Sequence, residues 1–403
     1  MDDNDLYECP TPETFRDKLN LTLFLAWLFY LGFVGRIIFG PLMPGIQKDL
    51  GLTHGEAGGV FFLLAIGYML APVCSGFLSS RINHLGTLKV SAWLVGIALL
   101  SCLLVDNFWS MGLLFMFIGF AGSLHMPSAI ATITAEIQRS DWGKGLSVHQ
   151  CAPPLSFVSA PLIVALLSQW LTWRQIIVCW AAISLVSAFI FSFLGRGGEF
   201  PGRVINSTIT RKIIVLPSFW LMVLLFSLAM AGNAGIFAML PLFLVSEKGF
   251  ALSQANTLIG LSQFSGLAAI FFAGIIVDKI GQKKVMGYSL FFTAIFTLAI
   301  GLTKGWLLII VLFMQPAILT LFFPAAFAAL SRIAHPSMRS VTSAMGPPLA
   351  YLLGGGMIPA VIGKLAESYS FATGIMFAGA VMFAGPLLIF FLRLGEFDAE
   401  SGC

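Results

Sequence analysis

One arginine stands inside the apolar stretch LTLFLAWLFYLGFVGRIIFGPLMPGI, residues 21–46. A guanidinium keeps its proton in a protein, so Arg36 is a fixed positive charge whose forked N–H groups match a carboxylate, sulfonate or phosphate. At the centre of a bilayer such a group costs ~2.5–3.5 kcal/mol on insertion scales, so it faces a cavity or a partner. The 18 Asp and Glu residues fall in the two tails, in loops or at helix ends; Glu136 alone sits inside a helix, near its inner mouth. No mid-membrane carboxylate remains to neutralise Arg36, and the simplest counter-ion is an anionic ligand. The alternative places the guanidinium in the outer headgroups or on backbone carbonyls. Gly32 and Gly40, one turn to either side, are expected to leave room around it.

Other polar side chains sit at membrane depth. His149 and Gln150 on the fifth apolar segment and His125 on the fourth can donate to a ligand. The histidines can also carry a proton, because imidazole titrates near neutrality, or simply bond a backbone carbonyl. Tyr30, Tyr68, Gln263, Gln315 and Tyr351 are candidates for the ligand surface, with helix-packing hydrogen bonds as the alternative. The six cysteines show neither a Cys-x-x-Cys pair nor metal spacing and read as apolar fillers or tail thiols. No nucleophile–base pair appears, so neither an enzyme nor a cofactor or metal site is expected.

The elements that must position these groups are membrane helices. The chain has 403 residues, 58% hydrophobic and only 10% charged, against about 25% charged in soluble domains. Apolar runs long enough to cross ~30 Å of hydrocarbon recur throughout. Twelve begin near Leu19, Ala57, Gly86, Asn107, Gly143, Trp173, Pro217, Ser253, Lys284, Gly305, Val341 and Phe371. The short loops leave no room for a soluble catalytic domain. The acidic start, MDDNDLYECP, is unlike a signal peptide. Placing both ends in the cytoplasm puts sixteen of the 22 Lys and Arg residues on the inner side, as the positive-inside rule requires. The net charge of +4 follows from that bias and implies no nucleic-acid partner. The Asn-x-Ser/Thr triplets at Asn20 and Asn206 fall inside, where no glycosylation is expected.

The chain also repeats itself. Arg36 and Asn233, Pro44 and Pro241, and Pro127 and Pro324 are each 197 residues apart; Gly76 and Gly274 are 198 apart, Pro153 and Pro347 194. Two like-oriented copies of six helices predict an all-α integral membrane fold with a pseudo-twofold axis along the membrane normal and a site between the copies. The expected division is a first bundle at 1–195, a cytoplasmic linker at 196–216 and a second bundle at 217–403. The pairs Pro153–Pro154 and Pro347–Pro348, with Gly354–Gly356, are expected to bend helices 5 and 11.

The segment GIIVDKIGQKK, 274–284, resembles the G-x-x-x-D-[RK]-x-G-x-[RK]-[RK] loop of the major facilitator superfamily of transporters. The resemblance covers essentially the whole chain. It implies that Asp278 and Lys279, with Lys283 and Lys284, clamp helix ends at the cytoplasmic side, and that Gly274 allows close helix approach. In the first half Ser80 replaces the aspartate while Arg81 remains, so Glu136 is the candidate for the missing acidic role. Helix 1 is similar to that of the organic-anion branch, which includes glycerol-3-phosphate transporters. There an arginine eight residues before a proline binds the substrate anion, as Arg36 and Pro44 are placed here. GKGLSVHQCA, 143–152, resembles the start of that branch's helix 5. Two departures stand out: Asn233 occupies the place of a second arginine, and Pro153 that of a histidine.

The resulting expectation is secondary active transport of a small organic anion, a carboxylate or sulfonate rather than a phosphate ester. Arg36 would grip it once and Asn233 would hydrogen-bond it. A proton is the expected co-transported ion, the bilayer the surroundings, and a monomer of the inner membrane the working form. The alternatives are a proton-coupled exporter and a non-transporting receptor on the same scaffold.

Overall fold

The computed structural model describes residues 15–202, 207–333 and 338–394. The acids Asp2, Asp3, Asp5, Glu8, Glu13, Glu396, Asp398 and Glu400, with Cys9, Cys403, Arg203 and Asn206, lie outside the described residues.

Helices account for the described fold, and no strand occurs among those residues. Twelve spans can be followed: α1 Leu19–Leu50, α2 54–81, α3 84–104, α4 Phe108–Glu136, α5 Arg139–Leu167, α6 Trp173–Leu194, α7 Pro217–Ser246, α8 Leu252–Ile280, α9 Gln282–Leu302, α10 Gly305–Leu330, α11 Val341–Ser368 and α12 Phe371–Phe391. The spans α2 and α3 form one helical ribbon broken at Ile82 and Asn83. Asn83 has φ 62°, a left-handed conformation its short amide side chain tolerates, and its Oδ1 accepts from Gly86 N at 2.7 Å to start α3. Leu104, Trp109 and Phe390, 80%, 77% and 82% exposed, point outward, as side chains of membrane spans are expected to do.

The breaks inside spans follow the prolines. α4 breaks at Leu124 and α10 at Leu321, again 197 residues apart and each three residues before a proline. Proline lacks the N–H and its ring collides with the carbonyl four residues back, so each helix must yield there. α5 breaks at Cys151, just before Pro153 and Pro154. α7 and α11 instead accommodate an extra residue in π-helical turns, Ala231–Gly235 and Leu352–Met357. These two turns pack on each other: a β-carbon at Gly354 would lie 2.1 Å from the Ser227 carbonyl oxygen, and one at Gly235 2.8 Å from that of Gly354. The expected bend of α11 is thus a π-turn, and glycine is needed because backbone meets backbone there.

The face where α1 begins is called basal here and the opposite face distal. Ties between the two sets of six helices gather toward the distal face. A β-carbon at Gly58 of α2 would fall 2.2 Å from the Pro359 carbonyl of α11, and one at Gly363 equally close to that of His54. Gly55 N donates to Glu367 Oε1 at 2.8 Å, and Asn256 Nδ2 of α8 to the Pro41 carbonyl of α1 at 3.1 Å. Phe157 of α5 meets Phe237 of α7 edge to face at 4.8 Å.

At the basal face, residues after α6 fold back beneath the first six helices. Leu85 N donates to the Gly198 carbonyl at 2.9 Å, His84 N to that of Phe200 at 3.2 Å, and Gly202 N to that of Ser79 at 3.0 Å. Gly197 and Gly198, with φ 83° and 82°, allow the turn.

Candidate functional site

Arg36 lies on the last turn of α1 before that helix breaks at Ile38. It is 8% exposed. Its guanidinium carbon sits 4.3 Å from the Phe33 ring centre, 4.6 Å from Tyr68 of α2 and 5.0 Å from Tyr351 of α11. The two tyrosines meet at 4.8 Å. The cation is therefore boxed by ring faces drawn from both halves of the fold, each contributing about 0.5–2 kcal/mol of cation–π attraction. Its Nε is buried and bonded to nothing. The ion pairs among the described residues are Lys18–Glu136, Lys144–Asp141, Arg174–Asp49 and Lys364–Glu367, and Arg36 enters none of them. A guanidinium held by rings with no carboxylate against it can take an arriving anion as its counter-ion.

Gly32 and Gly40 do something other than make room around the guanidinium. A β-carbon at Gly32 would face Val95 and Gly122, and one at Gly40 would lie 3.2 Å from Ala238 Cα. They let α1 pack against α3 and α4 on one side and α7 on the other. Partner helices, invisible in a single sequence, determine that role.

A second group of candidates lines a separate cavity of about 30 Å³ between α7, α8 and α10, bordered by Asn233, Gln263, Gln315, Ser262 and Thr320. That is room for a water molecule. Gln315 Nε2 donates to the Gly232 carbonyl at 2.9 Å, satisfying a backbone acceptor of the π-turn that carries Asn233. Between this cavity and Arg36 stand Phe237, Phe157 and Phe33, successive rings edge to face at 4.8 and 5.6 Å. Asn233 and Arg36 thus occupy opposite ends of an aromatic ridge.

A third group joins His125 of α4 to His149 of α5, Nε2 to Nε2 at 3.2 Å. Phe29 of α1 stacks on His149 at 4.6 Å and within 1° of parallel. Residues 29, 33 and 36 of α1 share one face at spacings of four and three, so Phe29 and Phe33 link the histidines to the arginine. The spacing of that stripe is a property of the sequence itself, whereas its histidine partners come from α4 and α5.

The remaining candidates lie apart from these groups. Tyr30 bonds Ser159 Oγ at 2.8 Å and stacks on Trp27, a packing role between α1 and α5. Gln150 is half-buried at the end of the first helical stretch of α5. Of the gating candidates, Glu136 meets Lys18 at 3.1 Å and accepts from Gly198 N at 3.3 Å. Arg81 lies 5.5 Å over Phe77. Asp278 and Lys279 are exposed, and nothing lies within 4 Å of a β-carbon at Gly274. The four are not gathered into one clamp in this conformation. A groove of about 510 Å³ on the flank of α2 and α4 is apolar and contains none of these residues.

The sequence matches the family model described as Major Facilitator Superfamily over residues 22–267 and 222–401. It is 24% identical over 84% of its length to a "putative metabolite transport protein" of Haemophilus influenzae, covering 87% of that protein. It is equally identical, over 85% of its length, to an "MFS-type efflux pump" of Mycolicibacterium smegmatis, covering 83% of it. A glycerol-3-phosphate transporter of Bacillus subtilis matches at 21% identity over 66% of the chain and 67% of its own. Among solved structures, a bacterial homolog of the human lysosomal transporter Spinster, in an inward-facing and occupied conformation, superposes with a TM-score of 0.81 at 14% identity, covering 95% of this chain and 97% of that one.

Proposed function

Since the chain belongs to the Major Facilitator Superfamily of transporters, we propose that it carries a small organic anion across the membrane by alternating access, with Arg36 as the anion anchor. The observation that carries this reading is the buried guanidinium with rings on its faces and no carboxylate against it among the described residues. One cation favours a monoanion, a carboxylate or sulfonate, over a doubly charged phosphate ester. Asn233 and Gln263, across the aromatic ridge, are the candidates for the ligand's neutral polar end.

The bundles 1–195 and 217–403, joined by 196–216, rock about this site. Both termini face the cytoplasm of a cell whose inner membrane holds the protein, so the basal face is the inner one. In that orientation the described conformation is closed outside, and Asp278 and Lys279 are free to engage when the inner side closes. Accumulating an anion against an inside-negative potential costs ~2.3 kcal/mol per charge per 100 mV, so net uptake requires a co-transported cation, most simply a proton. A single chain supplies every group invoked.

The test is a ligand screen of purified protein by thermal shift with benzoate, lactate, methanesulfonate and glycerol 3-phosphate. Stabilisation by a monoanion that disappears in Arg36→Ala and drops at least tenfold in affinity in Arg36→Lys supports the assignment. Equal shifts in all three proteins reject it. The mycobacterial efflux relative favours export as the second reading; vesicles preloaded with the bound anion distinguish the two by the direction of flux that a proton gradient drives.

A further inference from the structure

The neutral state of the buried histidine pair can be assigned atom by atom. His125 is 3% exposed and His149 fully buried. The Nε2–Nε2 contact needs a hydrogen on one ring and a lone pair on the other. A buried N–H without an acceptor costs more than an unfilled lone pair, so the partnerless Nδ1 of His149 is the bare nitrogen and His149 carries its hydrogen on Nε2. His149 Nε2 then donates to His125 Nε2. His149 Nδ1 is left as a lone pair, and it is buried without any partner. The network has one vacant position for a proton, and taking it up gives an imidazolium whose charge is shared through the 3.2 Å contact.

We propose that His125 and His149 form a single proton-binding site, with His149 Nδ1 as the landing atom, that couples proton movement to anion binding at Arg36. The proposal rests on the anion reading above. Phe29, parallel to His149 at 4.6 Å, offers its face to the imidazolium; Phe33 packs edge to face on Phe29 at 5.9 Å and lies 4.3 Å from the Arg36 carbon. Phe29 and Arg36 are seven residues apart on α1, about 10 Å along the axis at ~1.5 Å per residue. The histidine pair and an anion at Arg36 lie at about that distance or somewhat beyond it, where opposite unit charges in a medium of effective dielectric about 20 attract enough to change affinity several-fold. A protonated pair therefore raises anion affinity at Arg36, and bound anion raises the pair's proton affinity by the same factor.

Ionisable groups on the surrounding helices have other engagements or positions. On α1, Lys18 pairs with Glu136 of α4, Tyr30 bonds Ser159, and Arg36 sits in its aromatic box. Lys144 of α5 pairs with Asp141, and Arg174 of α6 with Asp49. Lys89 lies near the basal start of α3, half-buried. None supplies a carboxylate to the pair, so its proton is held by the rings themselves and by an anion nearby.

Two measurements test this on the full-length protein. In proteoliposomes with the membrane potential clamped to zero, uptake of the radiolabelled anions named above is compared with and without an inward proton gradient. Native protein is expected to accumulate one of them about tenfold per pH unit. In His125→Gln and His149→Gln the ratio of the two uptakes falls to about one. Separately, 15N-histidine spectra of the protein, which has five histidines, are followed across a pH titration. The two ring signals are expected to move together in one step, and the step is expected to change in either variant. If the variants keep the gradient-driven ratio, or if native uptake ignores the gradient while still requiring Arg36, the coupling site is overturned and the anion site stands. If no uptake depends on Arg36, the anion reading fails and the spectra decide alone: one shared step supports the proton site, whereas two independent steps or none reject it.

Discussion

At the scale of single residues, the aromatic box makes a prediction distinct from that of the arginine. Tyr351→Phe keeps a ring over the guanidinium and is expected to leave anion affinity within about twofold. Tyr351→Leu removes about 0.5–2 kcal/mol of cation–π attraction and is expected to weaken binding several-fold. Isothermal titration of both variants checks this; equal loss in the two would assign Tyr351 a hydroxyl-mediated role instead. Arg36 was legible in the sequence because one charge in an apolar run needs a reason. The box was not, since Tyr68 and Tyr351 are separated from Arg36 by 32 and 315 residues and only the packing of α2 and α11 brings their rings to it. The histidine pair was hidden for a similar cause: whether His125 and His149 meet depends on the rotation of α4 and α5 about their axes, which apolar segments without a polar face do not reveal.

At the scale of elements, the spans and the break of α5 at Pro153–Pro154 were readable because both follow local rules. The predicted starts at Leu19, Trp173, Pro217, Gly305, Val341 and Phe371 coincide with the observed ones. The π-turns were not readable, because they arise where α7 and α11 must mesh. Their glycines give a second prediction. Gly354→Ala places a methyl 2.1 Å from a carbonyl oxygen of α7, so α7 and α11 must separate. Such overpacking costs ~1–3 kcal/mol or more, measurable as a lowered Tm in detergent, and an unchanged Tm would contradict the geometry. The strap formed by residues 196–202 yields a third. A β-carbon at Gly202 would fall 2.0 Å from Ser79 Oγ, so Gly202→Val is expected to release the strap. The His84 and Leu85 amides, which donate to it, should then exchange hydrogen several-fold faster. The eroded first-half loop, with Ser80 in place of an acid, is the very segment this strap binds.

At the scale of the whole molecule, the distal ties are made and Asp278 and Lys279 are exposed, the arrangement that the proposed alternating access assigns to one half of its cycle. On the proposed function, in which Asp278 belongs to a clamp made when the basal side closes, Asp278→Asn is expected to favour this same state. Cys151 is an exposed thiol at the break of α5. Its rate of labelling in Asp278→Asn relative to native protein reports the shift, and a slower rate would argue that Asp278 stabilises the present state. Beside the Glu367 carboxylate on Gly55 N, the distal closure is built from Gly58 and Gly363 against uncharged carbonyl groups. Ionic strength has little to act on in such a contact, whereas hydrostatic pressure and temperature act on packing volume. The balance between the two states should therefore respond to compression more than to added salt, so that the lateral pressure of the surrounding lipid, more than the composition of the medium, sets how long the distal face stays closed.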